Sequence, residues 1–132
     1  MKDGDSQPGV GPIIIAGMPM YNEEETIGTV VTMALKHVDA VICVDDGSSD
    51  SSAKIAEACG AIVIRHRINR GYGGALKSLF HKAKELGADA LVVLDSDGQH
   101  ETADIPKLLD PIVNGDNDFV IGSRSVSYTH LT

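Results

Sequence analysis

Residues 90–100 read ALVVLDSDGQH, and the fold can be worked out from this stretch. Ala90 to Leu94 form an uninterrupted apolar run of the kind a strand buried on both faces requires. The run stops at Asp95-Ser96-Asp97-Gly98-Gln99-His100. If the chain stays extended for two more residues, Asp95 and Asp97 project to the same side, because strand side chains repeat every two residues. Gly98 then permits a tight turn, and Gln99 and His100 add oxygen and nitrogen donors nearby.

Two carboxylates at the mouth of an apolar strand repel each other unless a cation lies between them. A hard divalent ion, Mg²⁺ or Mn²⁺, suits such a pair, especially when substrate phosphates complete its coordination. The competing reading is an Asp-Gly turn with Asp95 capping a helix. This segment alone leaves both open.

The chain has 132 residues, enough for one domain with a real core. Its hydrophobic content of 42% and charged content of 23% are those of a soluble globular protein. A formal charge of −8 argues against a nucleic-acid or anionic-membrane surface, which needs a basic face. A phosphorylated ligand is still admissible where a metal or local Arg and Lys reverse the sign. The two cysteines, Cys43 in a strand-like run and Cys59 at a helix end, read as buried free thiols without metal-ligand spacing, which implies a reducing cytoplasm. No apolar run reaches the ~20 residues of a membrane helix, and no signal peptide is visible.

In chain order, residues 1–11 are polar and Gly-rich and read as a disordered leader. Residues 13–16 form a short strand leading into Gly17-Met18-Pro19-Met20-Tyr21-Asn22. A helix follows with Ile27, Val30, Val31, Ala34, Leu35 and Val38 on one face. Asn22 and Glu25 fit a capping box, with Glu23 and Glu24 at the positive helix start. Residues 40–44 are the second strand, ending in DDGSSDSS, and a helix runs to about Cys59. Residues 61–64 are the third strand. Residues 71–86 are loop then helix, with Leu76, Leu79, Phe80 and Ala83 inward. Pro106 belongs in a first turn, so the next helix starts near 102–104 and carries Ile105, Leu108, Leu109, Ile112 and Val113. Residues 119–121 are the fifth strand, followed by Gly122-Ser123-Arg124.

Alternating strands and helices with short links predict an α/β domain, a mostly parallel sheet with helices on both faces. Ligands of such sheets bind beyond the carboxyl ends of the strands. Every unusual segment falls at such an end: PMYNE, DDGSSD, RHRINRGYGG, DSDGQH and GSR. The dinucleotide fingerprint G-x-G-x-x-G is absent after the first strand, and no P-loop exists. Gly71-Tyr72-Gly73-Gly74 either admits a phosphate to the backbone at a helix start or is a flexible turn. Asp46 can accept the imide or amide N–H of a nucleobase while Tyr21 offers it a flat face. Capping accounts for Asp50, Ser51 and Ser52, but two consecutive aspartates exceed what a cap needs. His66 and Arg67 either lie where the choice of base, sugar or acceptor is made or are solvated loop residues, and the second reading is preferred.

Four segments, Pro19-Met20-Tyr21-Asn22-Glu23-Glu24, Asp45-Asp46-Gly47-Ser48-Ser49-Asp50, Asn69-Arg70-Gly71-Tyr72-Gly73-Gly74-Ala75 and Asp95-Ser96-Asp97-Gly98-Gln99-His100, resemble the family-two glycosyltransferases in order and spacing. The flavour is that of the dolichol- or polyprenyl-phosphate mannosyl- and glucosyltransferases, and the match spans residues 12–124. The resemblance implies the GT-A nucleotide-sugar fold, Rossmann-like and here ending after about five strands. It implies that Pro19, Tyr21, Glu23, Val44 and Asp46 hold the nucleoside. Asp95, Ser96 and Asp97 would face the diphosphate, and Asp95, Asp97 and Gln99 the metal, Mg²⁺ or Mn²⁺. Asp95 and Asp97 are thereby the catalytic candidates, and Arg124 also faces the donor. Met20 stands where the family often has a small residue.

Family members continue past this point into an acceptor-binding half that carries the presumed general base. Residues 125–132, SVSYTHLT, form a polar tail with no strand or helix pattern, either a truncation point or a cloning-derived extension. The expectation is the donor-binding half, itself inactive, of an inverting enzyme. That enzyme moves sugar from a UDP- or GDP-linked donor to a polyprenyl phosphate. The full-length protein would sit at the cytoplasmic face of the membrane. An unfinished sheet edge would invite homo-oligomers. The alternatives are a nucleotidyltransferase, disfavoured because PMYNEE is not a glycine-rich basic loop, and a non-catalytic nucleotide-sugar-binding module.

Overall fold

The computed structural model describes residues 13–94, together with the backbone of two strands at 118–122 and 126–130. The elements run β1 (Ile14–Met20), α1 (Ile27–Ala34), β2 (Ala40–Asp45), α2 (Ser52–Ala58), β3 (Ile62–Arg65), α3 (Gly71–Glu85), β4 (Ala90–Val93), β5 (Asp118–Gly122) and β6 (Val126–His130). They form one sheet in the order β3-β2-β1-β4-β5-β6. The first five strands are mutually parallel, and β6 is antiparallel to β5. The α/β expectation therefore holds, with two corrections near the end of the chain. The tail expected to lack a strand contains β6, and β6 covers the edge of β5 that was expected to stay open. The sheet edges are β3 and β6.

Period-two alternation assigns the two cores. Ile14, Ala16, Met18 and Met20 of β1 pack with Ile27, Val30, Val31 and Ala34 of α1 and with Ala53 and Ala56 of α2. Ile15, on the opposite face, joins Ile42, Val44, Leu91 and Val93 against Ala75, Leu79 and Ala83 of α3. From β1 the chain moves outward through β2 to β3, with α1 and α2 on one face. It then reverses past β1 to β4, with α3 on the other, as a constant crossover hand requires. Strand order thus reverses between β1 and β4, and such a switch point opens a crevice at the carboxyl ends of the two strands.

β1 is longer than the four residues expected, and it includes Pro19. Proline lacks a ladder donor, so its place inside a sheet needs a reason. The Gly17 carbonyl accepts from Leu94 N–H on the β4 side, whereas the Met20 carbonyl accepts from Asp46 N–H on the β2 side. Alternation turns Pro19 towards the β4 side, and the described pairing with β4 ends at Gly17 opposite Val93. Among the described pairs, the missing N–H costs no ladder bond.

At the other end of β1, two aspartates fasten its start. Asp89 Oδ2 accepts from Ile13 N–H at 2.7 Å and Asp39 Oδ2 from Ile14 N–H at 2.8 Å. These bonds fix the register of β2 and β4 on β1, and so the level at which their carboxyl ends emerge. Among the described residues no helix is long and apolar enough to cross a membrane. Cys43 is buried and Cys59 partly buried, both free, which matches the expected thiols except for the exposure of Cys59. The leader and the helix expected from 102 to 113 lie outside the described residues.

Candidate functional site

β2 delivers two aspartates to the carboxyl edge of the sheet, each only 6% exposed. Asp45 Oδ1 accepts from Ser48 N–H at 3.0 Å and closes the turn after the strand. Gly47 sits in that turn at φ +88°, and a Cβ on it would approach the Asn69 backbone nitrogen to 3.2 Å. Glycine is required both by the backbone angle and by the loop lying against it.

Asp46 binds the segment between β3 and α3. Its Oδ1 accepts from His66 Nδ1 at 2.8 Å and from Arg70 N–H at 2.8 Å, and its Oδ2 from Gly71 N–H at 2.9 Å. Arg70 is the N-cap of α3 and makes no side-chain cap of its own. The carboxylate of Asp46 therefore satisfies the first donors of α3 from across the sheet, and its charge suits the positive helix start. Burial works against that charge. The N–H groups of Arg70 and Gly71 and the His66 ring outweigh it, and hold the Asp46 carboxyl below the usual aspartate range.

His66 is the residue the sequence reading misplaced. It is 7% exposed rather than solvated, and its Nε2 lies 2.8 Å from Ser78 Oγ of α3. Register explains this, because Asp45 pairs with Arg65 and the next residue on each strand then lies side by side. His66 N–H continues the ladder to the Asp45 carbonyl at 2.8 Å. The signal that could have found His66 is its place one residue beyond an apolar strand whose neighbour ends in Asp45-Asp46. Arg67 is exposed, as expected.

The loops after β1 and β2 are laced together. Ser48 Oγ accepts from Asn22 N–H at 2.8 Å, Asn22 Oδ1 from Ser49 N–H at 2.9 Å and Ser52 Oγ from Glu23 N–H at 2.7 Å. Glu24 Oε1 accepts from Ser51 N–H at 3.0 Å, and Asp50 Oδ2 from Glu24 N–H at 3.3 Å. This overturns the capping box at Asn22 and Glu25. α1 begins only at Ile27 after Thr26, and Asn22 adopts φ +51° to reach the second loop. Glu24 serves the start of α2 instead of α1. Asp50 behaves as expected near α2, its Oδ1 accepting from Ser52 N–H at 2.9 Å. Loss of hydration opposes its charge, but the Ser52 hydroxyl and N–H, with Glu24 N–H, together outweigh it and draw its pKa down.

A groove of about 360 Å³ lies beside this lacing, lined by Asn22, Glu23, Glu24, Glu25, Thr26 and Asp50. All its charged walls are acidic, so it does not suit a diphosphate.

The expected nucleoside residues gather at one edge by different routes. Pro19, the last residue but one of β1, is half-buried and opposite Val44 in register, and Tyr21, 51% exposed, follows the strand immediately. Glu23 is half-buried at the turn before α1. Val44 is fully buried, its side chain packed beneath α3, so only its backbone is left to face a ligand. Gly71 starts α3 directly, at φ +81°, with no intervening loop. Asp95, Ser96, Asp97, Gln99 and Arg124 lie outside the described residues. Asp95 follows Leu94, whose N–H bonds to Gly17 at the switch point. Among the described residues no group of three or more His, Cys, Asp or Glu side chains is arranged to hold a metal ion.

A doubly wound, mostly parallel sheet whose described loops after β1, β2 and β3 share one edge, with a buried carboxylate among them, defines an α/β domain of the ligand-binding type. The chain belongs to glycosyl transferase family 2, whose family model matches residues 16–132. It is 40% identical to a UDP-N-acetylglucosamine–dolichyl-phosphate N-acetylglucosaminyltransferase of Methanococcus voltae, over 81% of this chain and 50% of that protein. It is 33% identical to an undecaprenyl-phosphate mannosyltransferase of Micrococcus luteus, over 86% of this chain and 49% of that one. Among solved structures it resembles glucosyl-3-phosphoglycerate synthase of Mycobacterium tuberculosis in complex with Mn²⁺, UDP-glucose and phosphoglyceric acid. That likeness has a TM-score of 0.66 at 29% identity, over 80% of this chain and 40% of that chain. The chain spans about half the length of the curated relatives it matches. Family membership sets aside the nucleotidyltransferase alternative.

Proposed function

We propose that the protein transfers a sugar from a nucleoside diphosphate sugar to a polyprenyl phosphate, and that residues 12–124 are its donor-binding part. The observation that carries this reading is the β1–β4 switch point, where Tyr21 and the buried Asp46 share the carboxyl edge of the sheet with Leu94, the residue before the DSDGQH segment in sequence. The Mycobacterium tuberculosis enzyme, bound to UDP-glucose and Mn²⁺, supports a uridine donor. The named dolichyl- and undecaprenyl-phosphate relatives support the lipid acceptor, and the site of action proposed with it is the cytoplasmic face of a membrane.

The roles follow the chemistry of each group. Asp46 accepts a base N–H and Tyr21 supplies a flat, half-exposed face for the ring. The backbone of Val44, with Pro19 and Glu23, borders the nucleoside. Asp95, Asp97 and Gln99 offer two carboxylates and an amide oxygen, the hard oxygen donors that Mg²⁺ or Mn²⁺ takes, and Ser96 and Arg124 face the diphosphate. When bound there, such a cation supplies Lewis-acid neutralisation of the charge that grows on the departing diphosphate. An acceptor oxygen attacks the anomeric carbon from the face opposite the bond that breaks, so the configuration inverts. A homo-oligomer joined through the sheet would use β3 or β6, the two edges.

Transfer from UDP- and GDP-sugars to a polyprenyl phosphate, measured with the full-length gene product and Mn²⁺, tests the reading. Lipid-linked sugar formed from one donor class supports it. Tight donor binding without transfer to any lipid phosphate supports the non-catalytic module instead.

A further inference from the structure

The Asp46–His66–Ser78 chain joins three elements, β2, the end of β3 and the middle of α3, through two bonds of 2.8 Å. Neither the lacing of the loops nor the helix start needs a histidine at this place. Arg70 N–H and Gly71 N–H already give Asp46 two donors. What the ring adds is a second donor on Oδ1.

A carboxylate oxygen has about two lone-pair sites, so Oδ1 is filled and Oδ2 keeps one. An imide such as the uracil edge presents one N–H between two carbonyls and needs one lone pair. A guanine edge presents N–H and NH₂ side by side and binds a carboxylate best through both oxygens. We propose that His66 is a positioning residue for base recognition: with Arg70 N–H it occupies Oδ1 of Asp46, and so favours a single-imide base over guanine. Ser78 holds the ring in that orientation. The hydroxyl serves whichever way the ring is protonated, as acceptor or as donor, so the anchor persists.

This inference rests on the reading that Asp46 meets the base, and the test separates the two. UDP and GDP are titrated calorimetrically into the full-length gene product with Mn²⁺ present, alongside thermal melts. In His66→Gln the amide reaches the place of Nε2 and leaves Oδ1 without its second donor. UDP affinity is expected to fall about tenfold, the scale of one hydrogen bond to a charged group, and the UDP-to-GDP preference to fall with it. His66→Asn puts an amide N–H where Nδ1 stood and is expected to recover most of both. If His66→Gln does not fold, Ser78→Ala releases the ring without touching Asp46 and is expected to lower the preference by a smaller factor.

Equal preference in wild type and a folded His66→Gln would overturn the role of His66, as would indistinguishable Gln and Asn variants, or an unchanged preference in Ser78→Ala. Asp46→Asn is the control for the underlying reading. If it binds UDP as wild type does, Asp46 does not meet the base, and the inference falls with that premise instead of through His66.

Discussion

Replacing Gly17 with alanine tests how α3 is seated on the sheet. A Cβ built at Gly17 would lie 2.2 Å from Leu79 Cδ1, 2.8 Å from Cδ2 and 2.9 Å from Cγ, well inside the ~3.5–4.0 Å at which carbon atoms attract. Leu79 is fully buried and cannot swing into solvent. Overpacking of this kind costs about 1–3 kcal/mol. The smaller conformational freedom of alanine in the unfolded chain returns about 0.4–1 kcal/mol. The net expectation is a loss of about 1–2 kcal/mol.

Leu79→Ala alone opens a cavity and costs about 2–5 kcal/mol. In the double variant the new methyl occupies part of that cavity, so the combined loss falls short of the sum by about 1 kcal/mol. Equilibrium urea unfolding of the four proteins, compared at constant slope, measures the coupling. The substitution also reaches the site, because α3 carries Gly71 and Ser78 to Asp46 and His66. A neutral Gly17→Ala, or strictly additive losses, would refute the packing argument.

Three further outcomes follow from the same structure. Burial pushes the Cys43 thiol up to about 12, so a thiol reagent at pH 8 should label Cys59 alone in the native protein and both cysteines in urea. Ser52 is fully buried and its Oγ takes Glu23 N–H. Ser52→Ala removes the acceptor of that bond and should cost about 1–3 kcal/mol, read by thermal melting. Asp46 has a native pKa lowered below its ordinary 3.8. Its ionised form therefore stabilises the fold fully above pH 3.8, and that contribution is lost as the pH falls through the lower native value. Acid titration of Asp46→Asn should lack this component, whereas a titration superimposable on that of wild type would contradict the assignment.

The sequence disclosed the sheet because its strands are short apolar runs with polar breaks, a pattern local to each segment. It pointed to the edge of the candidate site for the same reason, since every odd loop follows a strand. What it hid depends on contacts between segments. β1 runs on through Pro19, beyond its last described pair with β4, which no local propensity reveals. Asn22 and Glu24 carry the spacing of a helix cap, yet they bond to the loop after β2. His66 looked like a loop residue until the β2–β3 register set it against Asp46. β6 was overlooked because VSYTH is polar, although its valine, tyrosine and threonine favour strands.

The central claim concerns the acidic segment beyond β4, and calorimetric titration of UDP with and without Mn²⁺, in wild type and Asp97→Asn, tests it most directly. The account predicts that Mn²⁺ tightens UDP binding in wild type, and that Asp97→Asn abolishes this gain without lowering the melting temperature. An equal Mn²⁺-dependent gain in both proteins would contradict it.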